Sequence, residues 1–197
     1  MITGIVLCGG RSTRMGQDKA SLLVGDETFL MRVVRLVGEV ADEVIVVTRA
    51  DQAIPGLPAQ IVHDEADGLG PLAGIAAGLG ASTSDVNVVV ACDMPLIRPA
   101  VLRRLLELRG KADLCLAVID GRPSPLCAVY RQPVAGVARD LLAAGERRVM
   151  ALLDRVQTKR VEAAVFRDLD PELETFVSCD TPERWQWAAL RARRAAL

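Results

Sequence analysis

The residues best equipped for chemistry form one stretch, Leu7-Cys8-Gly9-Gly10-Arg11-Ser12-Thr13-Arg14-Met15-Gly16-Gln17-Asp18-Lys19, which starts where the apolar run Ile2 to Leu7 ends. A strand that breaks into glycines offers free backbone N–H groups. Arg11, Arg14 and Lys19 add movable cations, and the two together are what a polyphosphate needs. The stretch reads as a nucleotide-binding loop. A P-loop would place Lys-Ser/Thr directly after its second glycine, whereas here Gly10 and Gly16 enclose five residues and Lys19 follows Gln17-Asp18. The dinucleotide pattern G-x-G-x-x-G is also missing. On spacing alone, a glycine-rich turn carrying solvated basic residues remains the competing reading.

Further chemistry-bearing groups follow apolar runs. Asp93 comes after Val86 to Ala91 and before Met94-Pro95, which stops the strand and turns the carboxylate toward its carboxyl end. A lone carboxylate there suits Mg²⁺, which takes one or two protein oxygens and completes its shell with phosphate and water. An ordinary turn Asp capping backbone amides is the alternative. Asp64 opens the stretch to Gly70-Pro71-Leu72-Ala73-Gly74, whose glycines let backbone approach a flat ring; a helix start at Gly70-Pro71 and close helix packing at Gly74 compete. Gly145-Glu146-Arg147-Arg148 reads on its own as a helix C-cap followed by solvated charges. Asp180 stands between the apolar Thr175 to Val177 and Thr181-Pro182-Glu183, where it either caps the last helix or offers Mg²⁺ a second oxygen. His63, the single histidine, has no partner cluster and reads as structural.

The Leu-Cys-Gly-Gly-Arg-Ser-x-Arg-Met-Gly-x-Asp-Lys stretch resembles the signature of the nucleotidyltransferases related to molybdenum cofactor guanylyltransferase, and the likeness extends to about Trp185. The resemblance implies transfer of GMP from GTP to the phosphate of Mo-molybdopterin, with pyrophosphate released. It assigns Leu7, Cys8, Gly9, Gly10 and Lys19 to nucleotide binding, and Lys19, Arg14 and Asp93 to catalysis. Asp93 falls on the family's metal-binding Asp-x-Pro, with Mg²⁺ as the cofactor. Asp64, Gly70, Pro71 and Gly74 fall on the loop and helix start that line the nucleoside pocket, and Arg147 and Arg148 on the side that receives the pterin phosphate. Gly10 and the Gly70 to Gly74 run resemble the guanylyl branch rather than the cytidylyl one. Where the family usually has Asn-x-Asn before Thr-Pro-Glu, this chain has Ser178-Cys179-Asp180, and Ser124-Pro125 stands where a larger polar residue is common. A related cytidylyltransferase or other NTP-dependent transferase, and a non-catalytic nucleotide-binding module, are the rival readings. Molybdoenzymes or their chaperones are further candidate partners.

These residues need a scaffold, and the pattern of the chain supplies one. Helical spacing marks Thr28 to Val40, with Thr28 as cap, Pro71 to Ala81, Pro99 to Arg109, Pro133 to Ala144, Arg148 to Arg155, and a last helix opened by Thr181-Pro182-Glu183. Apolar runs mark strands at Ile2 to Leu7, Val44 to Val47, Gln60 to Val62, Val86 to Ala91, Leu114 to Ile119 and Leu126 to Arg131, the last after a turn at Asp120 to Pro123. Thr158 to Ala164 and Thr175 to Val177 are expected strands, and Arg191 to Arg194 a solvated end. Strands alternating with helices imply βαβ crossovers and an α/β fold: a three-layer α/β/α arrangement around a mostly parallel, Rossmann-like sheet, of the nucleotidyltransferase type by the resemblance. In such sheets ligands bind beyond the carboxyl ends of the strands, where these motifs fall.

Composition narrows the partners. With 197 residues and 51% hydrophobic, residues 1–197 are expected to form one nucleotidyltransferase domain. Lys plus Arg number 24 against 25 Asp plus Glu, so nothing draws the chain as a whole to nucleic acid or to an anionic membrane. Two Trp, one Tyr and three Phe build no base-stacking platform. The cysteines at 8, 92, 115, 127 and 179 form no C-x-x-C pair and are expected to be buried and reduced. No signal peptide and no membrane span are read, and the expected location is the cytoplasm.

Overall fold

The computed structural model describes residues 1–9, 22–24, 26–50, 52, 54, 56–64 and 69–194. Gly10, Arg14 and Lys19 lie outside the described residues. In chain order the elements are β1 (Ile2–Leu7), a small hairpin of β2 (Leu23–Val24) and β3 (Glu27–Thr28), α1 (Phe29–Gly38), β4 (Glu43–Arg49), β5 (Gln60–Asp64), α2 (Pro71–Ala81), β6 (Val86–Ala91), α3 (Pro99–Arg109), β7 (Leu114–Ile119), β8 (Arg122–Arg131), α4 (Val134–Ala143), β9 (Thr158–Glu162) and α5 (Pro182–Arg194).

Seven strands form the central sheet in the order β5-β4-β1-β6-β8-β7-β9. β8 pairs antiparallel with both β6 and β7, and the other pairs are parallel. Six strands therefore point their carboxyl ends to one edge, and β8 alone runs back. Both faces are covered. Val6, Val46, Val88 and Val90 pack beneath α1 and α3 through Leu30, Val33, Val37, Leu102 and Leu105. The alternate residues Ile5, Leu7, Ile45, Val47 and Val89 pack beneath α2 and α4 through Leu72, Ile75, Leu79, Ala138 and Leu141. Strands buried on both faces must read as continuous apolar runs, as β1, β4 and β6 do.

Local chemistry explains the element boundaries. Thr28 Oγ1 accepts the Met31 N–H at 3.2 Å and caps α1, while Pro71 and Pro99 occupy first turns where a missing N–H costs nothing. Gly78 lets α2 lie flat on the sheet, because a Cβ there would stand 2.5 Å from Ile5 Cγ2 and 3.0 Å from Val47 Cγ2.

Several sequence expectations need correction. Thr175 to Val177 is no strand: a 3-10 turn spans Glu174–Phe176, because Leu173 enters it with φ 55° and the Asp170 carboxylate accepts the Thr175 N–H at 2.8 Å. Arg148 to Arg155 forms a 3-10 segment over Val149–Asp154, and the Thr158 to Ala164 strand ends at Glu162, giving way to a 3-10 turn over Ala163–Phe166. β8 starts four residues before Leu126, at Arg122, since the turn is the two-residue Asp120-Gly121 with φ 50° and 74°. Arg191 to Arg194 is the last turn of α5; Arg191 pairs with Glu174 at 3.2 Å and lies over the Trp187 ring. The β2–β3 hairpin has two-residue strands, too short for any periodicity to reveal. Among the described residues no helix is long and apolar enough to cross a membrane.

Candidate active site

The carboxyl edge collects the motifs. β1 ends with Leu7 and Cys8, both buried, followed by the exposed Gly9. Cys8 N–H donates to Val47 O at 2.8 Å and Cys92 N–H donates to Leu7 O at 2.9 Å, so the ladder continues one residue past each strand. The start of the glycine loop is thereby fixed between the ends of β4 and β6, and Asp93 comes directly after Cys92. On the far side Arg49, last in β4, stands in register with Asp64, last in β5. Gln52 Nε2 approaches Cys8 Sγ at 3.8 Å, tying the segment after β4 to the start of the loop.

Asp93 is half-buried in a tight turn, with Met94 N–H donating to Ala91 O at 3.2 Å. Two bonds attach it to the segment before α5: Cys179 N–H donates to Asp93 O at 2.8 Å and Ser178 Oγ donates to Asp93 Oδ2 at 2.9 Å. Asp180 follows immediately and is brought to the same corner. Arg184 Nη1 donates to Ser178 O at 3.1 Å and to Asp180 Oδ1 at 3.5 Å. The hydroxyl that caps α5 is that of Thr181, which accepts the Arg184 N–H at 3.3 Å. The capping function weighed for Asp180 thus falls to its neighbour. The turn after Asp93 is also held by Arg32 Nε, which donates to Pro95 O at 2.7 Å. Glu27 accepts from Arg32 and Arg35, and those guanidiniums, Arg35 first, hold its carboxyl below the usual range.

A second group forms around the start of α2. Gly70 takes φ 76° and ψ −172°, a conformation that strains any L side chain, and Pro71 begins the helix. The loop leaving α4 passes beside it, since a Cβ on Gly70 would stand 3.8 Å from Arg147 O. Glu146 organises that loop: its carboxylate accepts the N–H groups of Arg147 and Arg148 at 2.8 and 2.9 Å and the Arg148 guanidinium at 2.6 Å. The Arg148 side chain first, then the two backbone donors, pull the Glu146 carboxyl down to about 2, and Glu146 in turn raises Arg148. The Arg147 and Arg148 side chains remain exposed. Gly74 lies deeper in α2, where a Cβ would come within 3.3 Å of Leu7 Cδ2, so it sets how closely α2 approaches β1.

The structure therefore brings Leu7, Cys8 and Gly9 beside Asp93, and Asp93 beside Asp180, while Gly70 and Pro71 meet the Arg147 loop. His63 Nδ1 lies 3.1 Å from Thr48 Oγ1 and 3.3 Å from Arg49 O, a local structural role. All five cysteines are buried and none is in a disulfide. Burial raises the Cys127 thiol to about 12. Sequence reasoning missed Ser178 as a partner of Asp93 and Arg32 as a support of Pro95, because both contacts span elements distant in the chain. The one available signal was the resemblance, which implies an asparagine where this chain has Ser178.

Comparison with known proteins matches residues 4–162 to the MobA-like NTP transferase domain. The chain is 37% identical over 188 residues to a protein of Methanothermobacter thermautotrophicus named probable molybdenum cofactor guanylyltransferase, covering 90% of this chain and 94% of that one. It is 34% identical to a protein of the same name from Chloroflexus aggregans, covering 93% and 91%. The crystal structure of molybdopterin-guanine dinucleotide biosynthesis protein A from Archaeoglobus fulgidus superposes with a TM-score of 0.85 at 25% identity, covering 98% of this chain and 99% of that one. With the family match spanning most of the sheet, and with the start of its glycine loop and its carboxylate turn side by side at the carboxyl edge, this chain belongs to the MobA-like NTP transferase family and is a nucleotidyltransferase.

Proposed function

We propose that the chain transfers GMP from GTP to the phosphate of molybdopterin, releasing pyrophosphate, as a cytoplasmic enzyme of molybdenum cofactor maturation. The observation that carries this reading is the junction of Leu7 O with Cys92 N–H at 2.9 Å, which sets the start of the glycine loop beside the Asp93 turn. The name probable molybdenum cofactor guanylyltransferase, carried by the relatives, supports a guanylyl donor and an acceptor in molybdenum cofactor synthesis.

The acceptor phosphate is already anionic, so the reaction requires no protein nucleophile. One of its oxygens attacks the α-phosphorus of GTP in line, the new P–O bond forms, and the bond to the β-phosphate oxygen breaks with its electrons leaving on pyrophosphate. The protein's contribution is alignment and charge neutralisation. Gly9 and Gly10 offer backbone N–H groups to the triphosphate, and Arg14 and Lys19 offset its charge. Asp64, Gly70 and Pro71 border the nucleoside, and Arg147 and Arg148 receive the acceptor phosphate. Asp93 and Asp180 offer hard oxygen donors, the chemistry Mg²⁺ prefers, on two segments joined by the bond from Cys179 N–H to Asp93 O, and they would hold it, with the Asp180 carboxylate facing Arg184 Nη1 at 3.5 Å. Mg²⁺, when bound, supplies Lewis-acid neutralisation of the phosphate oxygens.

Thermal shifts with GTP, CTP, ATP and UTP, each with and without Mg²⁺, test the donor, because a ligand at 100 times its Kd adds about 2.7 kcal/mol of stability. GTP with Mg²⁺ should give the largest shift, and pyrophosphate release should then require molybdopterin. Equal or better use of CTP would transfer the assignment to a cytidylyltransferase.

A further inference from the structure

We infer that Ser178 is a positioning residue for Asp93, holding in one orientation the carboxylate that takes the divalent cation. The inference rests on the reading of Asp93 as a cation ligand and adds to it a residue of this chain's own. An Asp side chain on a turn has a broad χ2 well and can rotate its oxygens away from a ligand. Here Ser178 Oγ donates to Oδ2 at 2.9 Å, which selects one rotation.

The donor is itself held from several sides. The next residue gives its N–H to Asp93 O at 2.8 Å, so the two backbones are locked together beneath the side-chain bond. Ser178 O receives Arg184 Nη1 at 3.1 Å from α5, and Thr181 caps that helix three residues on. The serine is thus placed by the last helix of the chain and passes that placement to Asp93. A hydroxyl is also a neutral donor: it orients the carboxylate without cancelling the negative charge a cation needs, as a lysine or arginine at this position would. Partners of this kind, one bond removed from a metal, commonly change its affinity 10- to 100-fold.

The test uses Mn²⁺ as the probe, its free concentration read by electron paramagnetic resonance in the presence of GTP and, in parallel, CTP. Ser178→Ala should weaken Mn²⁺ uptake roughly tenfold or more while its melting temperature stays at the wild-type value, and Ser178→Thr, which keeps the hydroxyl, should restore most of the affinity. Ser178→Cys, similar in size but a poorer donor, should fall between them and serves if the alanine variant does not fold. Wild-type Mn²⁺ affinity in Ser178→Ala, or an equal loss in Ser178→Thr, overturns the inference and leaves the function standing. A wild-type protein that takes up no Mn²⁺ with either nucleotide overturns the reading of Asp93 and this inference with it. Uptake with CTP alone corrects the base, and the same variants then decide on Ser178.

Discussion

Arg98 and Asp170 form an ion pair, Nε 3.3 Å from Oδ1, that fastens the turn after Asp93 to the segment leading into Ser178. Arg98 Nη1 also donates to Leu169 O at 2.9 Å, and its backbone N–H donates to Thr175 Oγ1 at 3.1 Å. Glu174 continues the network, with Arg98 Nη2 at 3.5 Å and Arg191 of α5 at 3.2 Å. Asp170 is fully buried while Arg98 is 42% exposed, so removing the arginine strands a carboxylate that cannot reach water. Arg98→Ala should cost about 3 kcal/mol of unfolding free energy, the low end for breaking a buried pair, by urea denaturation. A loss of about 0.5 kcal/mol would class it with surface pairs.

Asp93→Asn keeps the shape of the turn and removes its charge. Pyrophosphate release should fall by roughly 10²-fold or more, since a metal ion supplies several kcal/mol to the transition state and each ~1.4 kcal/mol is a factor of ten. Near-normal turnover at saturating Mg²⁺ would take Asp93 out of the site.

Lys19→Ala removes one charge from the stretch proposed to hold the triphosphate. The barrier should rise by ~3 kcal/mol, read as a fall in kcat with the circular dichroism spectrum unchanged. An effect confined to KM would reduce Lys19 to uniform binding of the nucleotide.

Gly78→Ala inserts a methyl where Ile5 Cγ2 and Val47 Cγ2 already stand at 2.5 and 3.0 Å. Both neighbours sit in the sheet and have little room to retreat, so overpacking should lower stability by roughly 1–3 kcal/mol. Gly136→Ala, on α4 with no heavy atom within 4 Å of the new Cβ, is the control and should be neutral or slightly stabilising.

Glu146 carries the pH prediction. Its folded value of about 2 lies below its ordinary 4.5, so it binds a proton less readily in the folded state. The stability it contributes is complete above about pH 4.5 and is lost as the pH falls toward 2. A carbon-13 titration of the Glu146 carboxyl should show it ionised at pH 3.5. Glu146→Gln should free the Arg147-Arg148 backbone and raise KM for the acceptor more than for GTP.

The limits of α2, β6, α3 and β7 were legible because proline opens each helix and the strands are nearly unbroken apolar runs, two signals that agree. β8 was shortened in the sequence reading because Pro123 and Pro125 resemble a turn. Both are tolerated because β6 pairs with β8 only from Cys127 onward, leaving the proline end bonded on the β7 side alone. Thr175-Phe176-Val177 has strand-like residues, and the left-handed Leu173 together with the Asp170 carboxylate bends it otherwise. In the site, the glycine loop and the Asp93 turn announce themselves through spacing. Ser178 and Arg32 do not, since their meaning depends on contacts that exist only once β6, α1 and α5 have met.

The burial of all five cysteines has a practical side. Cys115 and Cys127 are pushed further from the thiolate form by desolvation, and none of the five residues is more than 9% exposed. A thiol introduced at the exposed Arg122, beside the β7–β8 hairpin at the carboxyl edge, would therefore be alkylated by a maleimide dye ahead of the buried native cysteines. A fluorophore carried there would stand on the same rim as Asp93 and report arrivals at that rim in a chain otherwise unaltered.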